Sequence, residues 1–153
     1  ISTDQMMGGT SEASMAVVEG GAGDSSGALE ITGRITATAR YPWAGAFYLA
    51  GPSMRRGANL SARDALSFRV RGSGATHRLM VFAEALGRRP ATKTFRATGE
   101  WTRHVFPLEA FRGIDGSGLI GVLFTSEGTG RFGYRIDDVR FVRQEEGPSD
   151  GRD

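Results

Sequence analysis

An all-β, antiparallel sandwich is the fold class this sequence predicts, and three observations predict it. Apolar residues recur at a period of two, glycines punctuate the short runs between them, and no apolar pattern of helical period reaches useful length. Residues 14–18 open the series. Residues 28–36 then place Leu29, Ile31 and Ile35 on one parity and Glu30, Thr32 and Arg34 on the other, as a half-buried strand does. Residues 45–50 and 65–71 follow; the second sets Leu66, Phe68 and Val70 against Ser67, Arg69 and Arg71. Residues 77–84 are apolar on both parities in the middle, which suits a more central strand. Residues 92–96 and 102–106 are short strands, 119–125 form a continuous apolar run, and 131–142 close the series. Nine strands separated by Gly-rich turns imply two packed sheets. Residues 107–112 suit one helical turn at most. Residues 1–143 read as a single domain, and 144–153, without apolar anchors, as a mobile tail.

Composition supports that reading and excludes several classes. A chain of 153 residues suits one domain, since domains commonly run to about 100–150 residues. Hydrophobic residues make up 39% and charged residues 24%, so neither a disordered nor a fibrous chain fits. The 23 glycines are about twice the usual share of roughly 7%, as a fold of strands and tight turns requires. Without cysteine there is no disulfide framework, thiol nucleophile or Cys-based zinc site. The net charge is only +2, and the longest basic runs are the pairs Arg55-Arg56 and Arg88-Arg89. No basic stripe with interleaved aromatics is present, so nucleic acid is not an expected partner. No apolar run of about 18 residues argues for membrane insertion. Opening on Ile1 rather than Met, the chain reads as a processed or excised piece.

Motifs that resemble catalytic signatures stand in the wrong context. Gly23-Asp24-Ser25-Ser26-Gly27 fits G-x-S-x-G, but a strand follows where a nucleophile elbow needs a helix. Gly128, Gly130 and Gly133 fit G-x-G-x-x-G, again ahead of a strand, so no helix N-terminus awaits a phosphate; a hairpin turn is expected. His77 and His104 lie on different strands without metal-ligand spacing and are expected to be partly exposed.

One constellation carries possible chemistry. In 131–142 the apolar parity switches from Phe132, Tyr134 and Ile136 to Val139 and Phe141, so an extra residue must be absorbed at Asp137-Asp138. A β-bulge does this and re-aims side chains. Two carboxylates converging with the loop at Asp24 and Ser26 would suit a structural calcium ion, which takes about 6–8 oxygen ligands. The competing expectation is that one aspartate caps a turn while the other is solvated or pairs with Arg135 or Arg140.

Five segments together carry a family likeness: TDQMMGGTSEA at 3–13, YPWAGAFYLAG at 41–51, LSFRVRGSG at 66–74, FRATGEWTRHVFPLEAF at 95–111 and GYRIDDVRF at 133–141. In that order and spacing the chain resembles the complex I intermediate-associated protein 30 domain. The resemblance implies a galactose-binding-like jelly-roll sandwich related to carbohydrate-binding modules, with no catalytic residue to carry over. It also implies an accessory role, as in an assembly factor of respiratory complex I, or attachment to an enzyme such as an amidohydrolase.

The leading functional expectation is therefore a non-catalytic domain that recognises a protein partner; a carbohydrate-binding module is the alternative. A carboxylate enzyme using Glu84 with Asp137 or Asp138 is a third reading. Met6 and Met7, before Gly8-Gly9, offer an adaptable contact patch or close one end of the core, and closure is preferred. Tyr41 and Trp43, held by Pro42 and Gly45, suit stacking on a sugar or anchoring a protein interface, with Arg55 and Arg56 supplying donors. Trp101 is expected in the core.

Overall fold

The period-two pattern becomes ten strands among the described residues: β1 (Ser2–Thr3), β2 (Glu12–Glu19), β3 (Gly27–Ile35), β4 (Ala44–Leu49), β5 (Ala65–Arg71), β6 (Thr76–Ala83), β7 (Ala91–Arg96), β8 (Thr102–Pro107), β9 (Leu119–Ser126) and β10 (Gly130–Val142). The computed structural model describes residues 1–143 apart from 54, 55, 88, 112, 113 and 115; the expected tail at 144–153 and the candidate Arg55 lie outside the described residues. All nine expected strands form, and β1 is an addition that two residues were too few to signal. Three short 3-10 turns are the described helical structure, one of them at Leu108–Ala110 within the expected helical turn.

The strands make two five-stranded sheets, in the orders β1-β4-β9-β6-β7 and β2-β3-β10-β5-β8, with every neighbouring pair antiparallel. This is the jelly-roll sandwich. The continuous apolar run becomes β9, the middle strand of its sheet, buried from Leu119 to Thr125. Between the sheets, Phe68 meets Phe95 and Phe124 edge-on, each at 5.2 Å between ring centres, the geometry aromatic rings prefer. Ile31, Leu66, Val70, Leu79, Val81, Val122, Tyr134 and Ile136 complete the centre of the core.

The bulge forms where the parity changes. Pairing of β10 with β5 shifts between Asp137 and Arg140, and Asp138 takes φ 53°, the one non-glycine residue with positive φ among those described. Aspartate tolerates that conformation better than most residues. Gly23, Gly128 and Gly130 also have positive φ, so both glycine-rich motifs are turns rather than phosphate or nucleophile loops.

Three expectations are corrected. Trp101 is only half-buried and stands outside the core cluster, because it precedes β8, an edge strand of its sheet. Met6 and Met7 are 80% and 70% exposed, so they do not close the core. His77 is buried rather than partly exposed, because its side chain falls on the inward parity of β6 with Leu79 and Val81.

Candidate functional site

A cleft of about 600 Å³ lies between the two sheets, at the corner where β2 faces β4. Its origin lies in unequal sheet edges. In register, Met15 stands beside Ile31 and Val17 beside Leu29, and directly opposed strand residues point to the same face. Since Ile31 is in the core, Met15 and Val17 point inward as well. Both remain open to solvent: Met15 is 49% and Val17 83% exposed. The opposite sheet ends there in β1, which pairs only Ser2 with Gly45 and Thr3 with Ala44. The cleft is otherwise lined by Leu29, Ala46, Tyr48 and Val139, with Ser25, Ser26, Asp137 and Asp138 as its polar members. Tyr48 is partly exposed there, its ring 6.5 Å from that of Phe141.

The acidic members of the cleft are already engaged. Asp137 accepts the backbone N–H of Ala22 at 2.9 Å through Oδ2 and that of Asp138 at 2.8 Å through Oδ1. Asp138 accepts from Arg140 Nε at 2.8 Å and lies 3.9 Å from Arg69 Nε. One aspartate thus caps a turn and the other pairs with arginine, while Arg135 turns to Glu30 at 3.3 Å. Asp24 is exposed in the β2–β3 turn. Among the described residues no group of three or more His, Asp or Glu side chains is placed to hold a metal ion.

Of the aromatic pair, Tyr41 is 73% exposed with the Arg40 guanidinium over its ring, whereas Trp43 is half-buried and its ring N–H donates to Ser2 Oγ at 3.0 Å. Neither lines the cleft. Arg56 is exposed in a loop that bridges to Ser53.

Behind this end of the sandwich lies a polar anchor that sequence reasoning missed. Asp4 is fully buried; Oδ1 accepts Ser11 N–H at 3.0 Å, and Oδ2 accepts Ser11 Oγ–H at 2.8 Å and Trp43 N–H at 3.1 Å. Gly8 supplies the left-handed turn at φ 84°, and a Cβ on Gly9 would run into the Asp4 carboxylate. The Asp-x-x-x-Gly-Gly-x-Ser spacing was the available signal.

The histidines and the glutamate singled out by the sequence each make a hydrogen-bonding contact among the described residues. His77 Nδ1 lies 2.9 Å from Ser126 Oγ, but Nε2 is buried with no polar partner among the described residues, so no third group orients the imidazole as a triad requires. Burial pushes the His77 pKa down, keeping the ring neutral at pH 7. His104 Nε2 lies 3.1 Å from the carbonyl of Arg96, and its ring stacks on Phe106. Glu84 accepts Gly57 N–H at 2.8 Å and does not line the cleft that Asp137 and Asp138 line.

Fold and site together define a two-sheet antiparallel jelly-roll sandwich with an open inter-sheet corner. The chain belongs to the complex I intermediate-associated protein 30 family, whose sequence model matches residues 1–116. Among curated proteins no sequence matches it. Among solved structures it is similar to the family 11 carbohydrate-binding module of a cellulosomal cellulase of Clostridium thermocellum, at 15% identity and TM-score 0.68 over 90% of this chain and 85% of that one. The family 11 module in complex with a β-1,3-1,4-mixed-linked tetrasaccharide, also from Clostridium thermocellum, gives 16% identity and TM-score 0.67, covering 90% and 86%. A family 30 carbohydrate-binding module of another cellulosomal cellulase of that organism gives 14% and 0.64, covering 86% and 83%. At these identities the likeness is one of fold.

Proposed function

We propose that this domain is a non-catalytic recognition module whose inter-sheet cleft receives apolar side chains of a protein partner. The observation that carries the reading is Val17: an aliphatic side chain on the inward face of a strand, 83% exposed beside the half-exposed Met15. Leaving such a pair in water forgoes about 25 cal/mol for each Å² of apolar surface that a partner would cover. Of the polar groups at the cleft, Asp137 and Asp138 already accept from backbone N–H groups and an arginine. Membership of a family named for association with an assembly intermediate agrees with a protein ligand. The exposed Tyr41, Met6 and Met7 are proposed as a second contact area, with Trp43 setting the loop that carries Tyr41.

A carbohydrate reading has one specific observation behind it, the partly exposed ring of Tyr48 beside carboxylates in a module of this fold. The two separate in one experiment. A library of dodecapeptides is selected on the immobilised domain, with a Val17→Asp variant as counter-selection, and in parallel a β-1,3-1,4-linked tetrasaccharide is titrated while the methyl resonances of Met15 and Val17 and the ring resonances of Tyr48 are followed. Cleft-dependent apolar peptides that shift these resonances support the protein reading. Shifts from the tetrasaccharide alone, lost in Tyr48→Ala, replace it with the carbohydrate one.

A further inference from the structure

We infer that the outer face of the β2-β3-β10-β5-β8 sheet is a separate recognition surface, and that it takes an acidic segment of a protein. It lies on the far side of that sheet from Met15 and Val17, so it goes beyond the cleft reading and does not depend on it. Tyr134 and Ile136 of β10 and Phe68 and Val70 of β5 point into the core, so the residues that alternate with them point outward. Those outward positions set arginine directly against arginine three times: Arg131 of β10 against Arg34 of β3, Arg135 of β10 against Arg71 of β5, and Arg69 of β5 against Arg103 of β8. In the sequence the six are scattered; the register gathers them. The rungs fall level with Arg131, Arg135 and Asp137 along β10 and step one strand sideways each time. They form a diagonal roughly 20 Å long, at about 3.3 Å per residue and about 4.8 Å per strand. Like charges directly opposed on a sheet face destabilise it, and a partner of opposite charge removes that repulsion.

Carboxylates of this chain answer only part of the charge. Glu30 holds Arg135 at 3.3 Å, while Asp138 lies 3.9 Å from Arg69 and bonds Arg140. Arg34, Arg71, Arg103 and Arg131 are exposed and have no ion pair among the described residues. Two of them are aimed by neutral groups: Arg71 Nε donates to the carbonyl of Gly99 at 2.9 Å, and Arg103 Nε to Ser67 Oγ at 3.0 Å. Both bonds are made at Nε, and the paired terminal nitrogens keep the fork that matches a carboxylate. The interspersed acids select the occupant. Glu12 stands opposite Arg34, Glu30 opposite Arg135 and Asp137 opposite Arg69, so a uniform polyanion would carry its charge over them. A protein segment sets Asp or Glu over the unpaired arginines and neutral residues over those carboxylates. Among the described residues, the outward positions of the five strands hold no aromatic ring on which a base could stack, which disfavours nucleic acid.

The probe is a fluorescently labelled dodecapeptide of alternating Glu and Thr, with its Gln-Thr counterpart as the neutral control, titrated at low and at physiological salt. The acidic peptide should bind, more weakly as salt rises, and the neutral one should not. Arg34→Gln with Arg131→Gln, and Arg71→Gln with Arg103→Gln, should each weaken binding by about fivefold or more. Arg78→Gln with Arg96→Gln removes the same charge from the other sheet and should stay within about twofold. Both diagonal variants should melt at or above the parent temperature, because like-charged rungs are gone, so binding is lost without loss of folding. Equal weakening by the control pair reduces the effect to net charge and overturns the inference. Tighter diagonal-dependent binding of a heparin dodecasaccharide or an oligothymidylate overturns it too, giving the face to a uniform polyanion. Peptide binding that emerges only when the chain ends at Arg143 assigns the face to the chain's own acidic residues 144–153. No binding of the acidic peptide at low salt removes the surface altogether. The Val17→Asp variant should bind the acidic peptide as the parent does, which tells failure here apart from failure of the cleft reading.

Discussion

The buried carboxylate of Asp4 accepts the backbone N–H of Trp43 at 3.1 Å across 39 residues, tying the N-terminal turn to the start of β4. The same oxygen takes the Ser11 hydroxyl, and its partner oxygen takes Ser11 N–H, so one side chain anchors three donors. Burying a carboxylate is tolerable only when charge-assisted bonds of this kind replace its water.

That arrangement makes Gly9 sensitive. Gly9→Ala should destabilise the domain by about 1–3 kcal/mol, since the new Cβ must displace the Asp4 carboxylate. Ser11→Ala should cost about 1–3 kcal/mol by leaving a buried acceptor short of a donor. Trp43→Phe should cost about 1 kcal/mol through the lost bond to Ser2, with Tyr41→Ala close to neutral. Chemical denaturation of the four variants checks the series; a Gly9→Ala midpoint equal to the parent's would show that the turn relaxes freely.

Core position separates Phe68 from Trp101. Phe68→Ala should cost about 3–5 kcal/mol, because the ring is fully buried between Phe95 and Phe124. Trp101→Ala, at a half-buried site outside the core cluster, should cost nearer 1 kcal/mol. Equal losses in urea unfolding would put Trp101 back in the core.

Burial of His77 gives a pH dependence of definite sign. Its folded pKa lies below the unfolded value of about 6.5, so as pH falls through that value the unfolded chain takes up a proton that the folded chain refuses. The stability associated with a neutral His77 is complete above about pH 6.5 and declines below it. Melting temperatures of the parent and His77→Phe between pH 7.5 and 5.5 should diverge, the parent losing more. Parallel curves would show that His77 protonates in the folded state without cost.

At the bulge, excess calcium should leave the melting temperature unchanged, because Asp137 and Asp138 already direct oxygens at N–H and guanidinium donors that an ion would have to displace. A rise with calcium, reversed by chelator and lost in Asp137→Ala, would instead establish the ion at Asp137, Asp138 and Asp24 through mass action.

Local pattern was enough for most of the fold. Period-two alternation, with apolar runs for the more central strands, located nine strands because side chains on a pleated strand point alternately to its two faces. The parity change at Asp137-Asp138 announced the bulge for the same reason, and the run at 119–125 announced a strand covered on both faces. Only the tertiary structure decided which of these surfaces stay open. Met15 and Val17 alternate like core residues, and their exposure depends on how far β1 extends along β4 in the opposite sheet. His77 reads as an ordinary strand histidine until β6 turns it inward, and the burial of Asp4 emerges only when Ser11 and Trp43 close over it. Alternation is a property of one strand and its own backbone, whereas coverage is a property of whatever lies about 10 Å away across the sandwich, which no short stretch of sequence encodes.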